Sequence, residues 1–218
     1  MVNDTIAAIA TAVSNAGLSK IRISGKDSLA IIDKIYRAKN SNKKISEAPS
    51  HTIHYGFIYD GELMIDEVMV LLMKGPRSYT KEDVVEIDCH GGIIVTKKIL
   101  ETVVKYGARI ADPGEFTKRA FLNGRIDLSG AEAVMDIINS KNDYALKNSL
   151  RQLEGNVLDK IKDIRSSIMY DLAYIEAALD DPEHISLDNF SNELENNIND
   201  NINELNILLK SSENGRLL

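Results

Sequence analysis

The residue types best suited to chemistry occur in two polar segments of this 218-residue chain. In the first, residues 75–92, Glu86 and Asp88 stand two apart in a strand pattern, so both carboxylates are predicted on one face of the strand. Gly91 and Gly92 follow, and glycines let backbone N–H groups approach an anion or a tight helix start. This segment therefore predicts a carboxylate wall beside a turn.

The second segment, residues 112–133, supplies cations. Lys118, Arg119 and Arg125 lie close together near a loop glycine, and Arg22 adds a cation within an earlier strand pattern, where an apolar residue is usual. Together the two segments predict a small-molecule site with cationic and carboxylate walls. Structural salt bridges between a sheet and a helix are the alternative interpretation of the same residues.

Other chemistries have weaker support. His51 and His54 are three apart, but in a strand pattern they point to opposite faces, which argues against a metal site. Cys89 and His90 are neighbours in an extended segment and should also face apart, which favours a structural cysteine over a thiolate nucleophile. The stretch at residues 25–28 lacks the first glycine of a phosphate-binding loop.

Composition restricts the class of protein. One cysteine excludes a disulfide framework, and no apolar stretch reaches the roughly 18 residues that a membrane span needs, so we expect a cytoplasmic protein without a membrane association. The net charge of −7 falls entirely in residues 180–218, where nine acids face Lys210 and Arg216. That excess predicts a solvated helix face and leaves room for local basic sites elsewhere.

The elements that must position the polar residues follow from hydrophobic periodicity. In the first half, short segments predict two strands, a helix, three strands and a second helix, which is typical of helices packed on a mixed sheet. The predicted strands cover residues 5–13, 20–24, 51–59, 67–73 and 84–88, and the predicted helices cover residues 28–36 and 93–106.

After Pro113 the periodicity is helical almost throughout. A helix at 131–138 has Ser129 or Asp127 as its cap, a long helix is predicted from 143 to 179, and another carries apolar residues from 194 to 209. Their apolar stripes need a further layer, either another segment or a second subunit. The predicted fold class is therefore α+β, a mixed α/β sheet domain followed by an all-α, long-helix domain.

Several motifs, in order along the chain, resemble the MnmE (also TrmE) family of tRNA modification GTPases. They are Asp4-Thr-Ile-Ala-Ala-Ile-Ala-Thr11, Ile21-Arg-Ile-Ser-Gly25, Gly75-Pro-Arg-Ser-Tyr-Thr-Lys-Glu-Asp-Val-Val-Glu86, His90-Gly-Gly92, Pro113-Gly-Glu-Phe-Thr-Lys-Arg-Ala-Phe-Leu-Asn-Gly124 and Leu128-Ser-Gly-Ala-Glu-Ala133.

The resemblance implies a domain organisation. Residues 1–119 would form a folate-binding and dimerisation domain related to the aminomethyltransferases, and residues 120–218 would form the first part of a helical domain. In the family a Ras-like GTPase domain is inserted into the helices. Its sequence motifs do not occur here, so we expect this chain to be a fragment that does not hydrolyse GTP, with GTP, Mg and K bound only by that further domain.

The resemblance also implies an activity. Members work with an FAD-dependent MnmG-type protein in a heterotetramer and add a carboxymethylaminomethyl or aminomethyl group at carbon 5 of the tRNA wobble uridine. The one-carbon unit comes from a tetrahydrofolate derivative, such as 5-formyl- or 5,10-methylene-tetrahydrofolate. A free-standing folate-dependent aminomethyltransferase and a ligand-free dimerisation scaffold are the two alternatives.

The family's folate contacts fall on Arg22, Glu86 and Arg125, the last often lysine in the family. A carboxylate such as Glu86 suits the amino-pyrimidinone edge of a pterin, and the arginines suit the glutamate carboxylates. No catalytic residue and no metal ligand is expected in this chain. The family's usual Pro-Pro-Gly-x-Gly loop is replaced by Ala12-Val-Ser-Asn-Ala-Gly17, which alters a loop that could affect folate affinity.

Contact with tRNA would need local basic clusters. They are Lys39, Lys43 and Lys44 in one place and Lys118, Arg119 and Arg125 in another.

Overall fold

A computed structural model describes residues 4–39, 44–188 and 190–216. The chain forms two compact units, Met1–Arg125 and Ile126–Leu218. The first contains a mixed sheet with helices and the second is helical, which confirms the predicted fold class.

The first unit is built on a seven-stranded sheet with the order β3-β4-β5-β6-β2-β1-β7. Neighbouring strands are antiparallel except β1 and β7, which run parallel. The strands are β1 Ile6–Ile9, β2 Ser19–Ser24, β3 Tyr36–Ala38, β4 Thr52–Asp60, β5 Leu63–Met73, β6 Val84–Cys89 and β7 Arg109–Ile110.

Helices cover one face of this sheet. They include α1 Ser28–Ile35 and α2 Ile93–Lys105, while α3 Glu115–Leu122 follows β7 and a short 3₁₀ turn spans Ile45–Glu47. The core between sheet and helices holds fully buried aliphatic side chains, among them Ile21, Ile31, Val70, Ile87 and Ile99.

The opposite face of the sheet carries the residues that alternate with the core. On β2 and β6 they include the charged residues at positions 20, 22, 86 and 88, because Ile21 and Ile87 occupy the core side and their neighbours must point the other way. On β4 and β5 they include exposed apolar residues: Ile53, Tyr55 and Met69 are 64%, 44% and 45% exposed. One face of the sheet thus joins an ionic region to an apolar one.

The strand predictions differ from the structure in detail. β1 ends at Ile9, four residues early, because the chain then turns so that the Ala16 N–H donates to the Gly91 carbonyl at 3.1 Å. β5 begins at Leu63 rather than at residue 67. β3 and β7 were not predicted, since three and two residues are too few to show a periodicity.

The second unit consists of α4 Leu128–Asn139, α5 Asp143–Leu153, α6 Asn156–Asp180 and α7 Phe190–Arg216. Asp127 caps α4 by accepting from the Gly130 N–H at 2.7 Å, which settles the predicted choice of cap. The single helix predicted over 143–179 is wrong, because Gly155 adopts a left-handed φ of 86° and separates α5 from α6.

The two long helices of the second unit lie against each other. The rings of Tyr174 and Phe190 stack at 4.6 Å, and Asn197 donates to Asp171 at 2.9 Å. Apolar residues such as Ile168 and Ile202 stay exposed, as the unpartnered stripes predicted, and the acidic residues at 193, 195 and 200 are exposed as well. Among the described helices, none is long and apolar enough to cross a membrane.

Candidate functional site

The ionic region of the sheet is set by the pairing of β2 with β6. The antiparallel register places Arg22 directly opposite Glu86 and Lys20 opposite Asp88. Since residues two apart in a strand share a face, all four side chains project from the same side of the sheet. The prediction that Glu86 and Asp88 share a face is confirmed.

Glu86 is the centre of this ion cluster. Its Oε1 accepts from Arg22 Nε at 2.7 Å and its Oε2 accepts from Lys20 Nζ at 2.6 Å. Burial by itself raises the pKa of this carboxyl, but the hydrogen bonds from Lys20 and Arg22 outweigh it and hold the pKa below its usual value. Glu86 is therefore a buried carboxylate that stays charged.

Lys20 also neutralises the second carboxylate. Its ammonium nitrogen lies 3.3 Å from Asp88 Oδ1, an oxygen that has no well-aligned hydrogen bond with the residues described. Burial lowers the pKa of Lys20, yet the bond to Glu86 and the charge of Asp88 raise it above its usual value. Lys20 was not predicted as a site residue, although its spacing of two from Arg22 places it on the same face.

Aromatic rings connect Arg22 to Arg125. The Arg22 guanidinium carbon lies 5.3 Å from the centroid of Tyr79 and 5.6 Å from that of Phe116, and Arg125 lies 4.8 Å from Tyr79. These distances are typical of cation–π contacts. Of the three predicted residues, Arg22 and Glu86 are thus bonded directly. Arg125 reaches them through the ring of Tyr79, which was not predicted either.

Hydrogen bonds fix the loop that carries Tyr79. Ser24 Oγ on β2 lies 2.6 Å from both Thr80 Oγ1 and Glu82 Oε2, and Asn123 Nδ2 donates to the Thr80 carbonyl at 2.6 Å. The Tyr79 hydroxyl lies 2.9 Å from Thr117 Oγ1. The ring between the two arginines is therefore held from β2 and from α3.

Arg119 differs from the sequence prediction. Its side chain is only 3% exposed, and it bonds to Asp4 at 2.7 Å, Glu115 at 3.0 Å and Glu82 at 3.2 Å. A guanidinium enclosed by three carboxylates is not available to a ligand or to tRNA, so its assignment to a basic ligand-binding cluster is wrong. For this residue the alternative, a structural ion pair, is correct.

The other predicted cations have separate surroundings. Lys118 lines a small cavity of about 120 Å³ beside Asp112 and Leu122. Lys39 Nζ lies 5.5 Å from the ring of Tyr55. Lys43 lies outside the described residues.

Cys89 and His90 each have a partner elsewhere in the sheet. Cys89 is 2% exposed, and its Sγ donates to the Ser19 carbonyl at 3.5 Å, while burial raises the pKa of its thiol to about 11. His90 turns instead toward Asp66, with Nδ1 and Oδ1 2.7 Å apart. Cys89 and His90 therefore do not form a nucleophile pair. The part of the chain that is described contains no group of three His, Cys, Asp or Glu residues suited to a metal.

The altered loop at residues 12–17 is anchored at its end. A Cβ at Gly91 would lie 2.4 Å from the Ala16 carbonyl oxygen, so this approach requires glycine. At Gly17, by contrast, an added Cβ would meet nothing within 4 Å. The residue at position 91, rather than the glycine of the loop itself, sets the loop's contact with the sheet.

Comparison with known proteins covers both units. A family model described as "GTP-binding protein TrmE N-terminus" matches residues 5–125, and one described as "MnmE helical domain" matches residues 128–218. The chain is 65% identical, over its whole length, to the tRNA modification GTPase MnmE of Lachnoclostridium phytofermentans. It is 50% identical over its whole length to that of Thermoanaerobacter pseudethanolicus and 44% identical over 99% of its length to that of Lactobacillus acidophilus. The chain spans about half of these relatives, 48%, 48% and 46% of their lengths.

Proposed function

The chain belongs to the MnmE family of tRNA modification GTPases, and from that premise we propose that its first unit binds a reduced folate at Arg22, Glu86 and Arg125. The observation that carries the proposal is the charged, buried Glu86 carboxylate, which Lys20 and Arg22 hold. The guanidinium of the same Arg22 contacts two aromatic rings. In functional terms, residues 1–119 would be the folate and dimerisation domain, with Arg125 added from just beyond it, and residues 120–218 would be helical.

The donor set fits the pterin end of a folate. Each carboxylate oxygen has two acceptor positions, and at Glu86 the protein occupies one on each oxygen. The remaining positions can accept the two parallel N–H groups of an amino-pyrimidinone edge, because Glu86 stays ionised. Tyr79 already lies between Arg22 and Arg125, so the ring of Phe116, 5.6 Å from the Arg22 guanidinium carbon, is the surface that would contact the aromatic part of the ligand.

The cations fit the other end. Arg125 is exposed, and its guanidinium can form a bidentate pair with the glutamate carboxylate of the ligand. When bound, the folate would supply a one-carbon unit, as a 5-formyl- or 5,10-methylene derivative. The chain's own residues would bind and orient it.

For the whole protein we propose the family's activity in the cytoplasm. It would form a heterotetramer with an FAD-dependent MnmG-type protein, and that complex would bind tRNA and add a carboxymethylaminomethyl or aminomethyl group at carbon 5 of the wobble uridine. Hydrolysis of GTP, with Mg and K, would belong to residues that this chain does not include.

Titration with 5-formyltetrahydrofolate by calorimetry tests the folate proposal. We expect saturable binding, and Glu86→Gln should weaken it about 100-fold, since it loses a charge-assisted pair. Glu101→Gln, on an exposed helix position, is the matched control and should bind as the parent does. An absence of heat and of a thermal shift at high ligand concentration would favour the ligand-free scaffold.

We also propose that two copies associate through the apolar region of the open sheet face. Ile53 pairs with Leu71 and Tyr55 with Met69 across β4 and β5, forming a contiguous apolar patch on a strand pair that helices cover only on the other side. Sedimentation equilibrium at micromolar concentration should give a dimer that Met69→Lys converts to monomer. Ile94→Lys, on the helical side, should remain dimeric; a monomeric parent chain would contradict the proposal.

A further inference from the structure

A groove of about 460 Å³ opens in the first unit beside Tyr79 and Arg125, and neither Arg22 nor Glu86 lines it. Its volume lies within the range of roughly 300–1,000 Å³ usual for ligand sites. The basic residues of its lining are His51, Arg77, Lys81 and Arg125, and no carboxylate is among the lining residues that the structure describes. Four basic side chains without a carboxylate among them favour an anion as the ligand.

The groove is continuous with the proposed folate site. Lys81 Nζ donates to the carbonyl of Gly124 at 2.8 Å, so its ammonium group lies beside the backbone that leads into Arg125. Arg125 contacts the ring of Tyr79, and the same ring contacts Arg22 in the ion cluster. Tyr79 therefore belongs to both sites.

The backbone of the groove is unusual at two positions. His51 and Lys81, with φ of 63° and 59°, are the non-glycine residues with positive φ in the described part of the chain, and both line this groove. That conformation is uncommon for residues with a side chain, and such residues cluster at active sites, ligand clamps and switch regions. Both basic side chains are thus presented by loops in a conformation that the fold must maintain.

We infer that this groove binds the γ-glutamyl tail of a polyglutamylated reduced folate. The inference rests on the proposed function: Arg125 takes the first glutamate, and Arg77 and Lys81 take the carboxylates that each further glutamate adds. Arg77 is exposed and forms no hydrogen bond or ion pair with the other described residues, so its charge is free for a ligand. The same cations could attract RNA phosphates. Binding of an RNA backbone, however, uses contacts to several successive phosphates, and a single groove offers few of them.

The test compares the mono- and triglutamate forms of 5-formyltetrahydrofolate by calorimetry on the 218-residue chain. We expect the triglutamate to bind on the order of tenfold more tightly, from two exposed ion pairs, with the advantage shrinking as salt is added. In Arg77→Gln/Lys81→Gln the ratio of the two dissociation constants should fall to about one. Lys97→Gln/Lys98→Gln removes the same charge from α2 and should keep the ratio of the parent.

The outcomes separate the two proposals. Equal affinity of the parent chain for both compounds would overturn the tail assignment and leave the folate site intact. Binding of neither compound would overturn the folate site and the tail assignment with it. A third outcome would assign the groove to nucleic acid instead: the parent chain binds both folates equally, and a short single-stranded RNA binds the parent more tightly than the double variant.

Discussion

Lys20 Nζ lies 2.6 Å from Glu86 Oε2, on the carboxylate oxygen that Arg22 does not contact. Two cations from one strand thus enclose a single carboxylate of the neighbouring strand. A second carboxylate, Asp88, depends on the same ammonium group at 3.3 Å. Lys20 is therefore the residue that balances the charge of the proposed folate site.

Lys20→Met should destabilise the first unit by about 1–3 kcal/mol, because it leaves one oxygen of Glu86 and one of Asp88 without a cation in a buried setting. Urea unfolding, monitored through hydrogen exchange of the amides in β2 and β6, measures this change in the free energy of unfolding. Lys98→Met, at an exposed position of α2, is the control and should change stability by less than about 0.5 kcal/mol. Equal stability of the two variants would show that the cluster contributes nothing.

Glu115 should make the first unit sensitive to acid. The hydrogen bond from Arg109 is the main cause that lowers the pKa of Glu115 from 4.5 to about 2. A carboxyl with a lowered pKa stabilises the fold fully above about 4.5, and that contribution is lost as the pH falls toward 2. Glu115→Gln should therefore cost about 2 kcal/mol at pH 7 and a progressively smaller amount below pH 4.5.

Hydrogen exchange of the β1 and β7 amides at pH 7, 5 and 3 checks this, because Glu115 bonds to Arg109 of β7 and β7 pairs with β1. Glu101→Gln, an exposed carboxyl, serves as the comparison. Parallel loss of stability in the parent and in Glu115→Gln between pH 5 and pH 3 would contradict the assignment.

Gly91→Ala should destabilise the first unit by about 2–4 kcal/mol or displace the loop at 10–18, since the new Cβ would lie 2.4 Å from the Ala16 carbonyl oxygen. Gly17→Ala has open space around its Cβ and should be tolerated. Thermal unfolding of the two variants measures the contrast. A melting temperature for Gly91→Ala within a degree of that for Gly17→Ala would mean that the loop moves without cost.

His90 should titrate above the usual histidine value of 6.5, because its hydrogen bond to Asp66 raises the pKa of the imidazole. The charged pair then stabilises the fold below pH 6.5 and loses that effect as the pH rises through the raised pKa. NMR titration of the ring protons should show this, and Asp66→Asn should return the pKa toward 6.5. Asp60→Asn, at an exposed ion pair with Lys105, should leave the His90 titration unchanged.

Local pattern was enough to predict the main elements of the fold. Alternation in β6 placed Glu86 and Asp88 on one face, and the polar residue before α4 indicated its cap. The break at Gly155 does not follow from local pattern, because a glycine inside a helical pattern is compatible with a continuous helix. The short β3 and β7 depend on their neighbours in the sheet rather than on their own residues.

The candidate site was predictable only in part. Arg22 could be recognised as a cation within a strand pattern. The structural role of Arg119 could not, because one of its partners, Asp4, is 115 residues away in the sequence. No spacing rule reports such a pair, so a buried structural arginine and a ligand-binding one look the same in the sequence. The ring of Tyr79 between two arginines likewise exists only after the loop at 75–83 has closed on β2.

The link between Asp4 and Arg119 has a consequence for synthesis of the chain. Together with the pairing of β1 and β7, it joins the first described residues of the unit to its last helix. During translation β1 leaves the ribosome early and can pair with β2, but its other edge must wait for β7, and Asp4 must wait for Arg119, each more than one hundred residues later. Closure of this unit is therefore a late event, and the folate site can form only after nearly all of residues 1–125 have emerged.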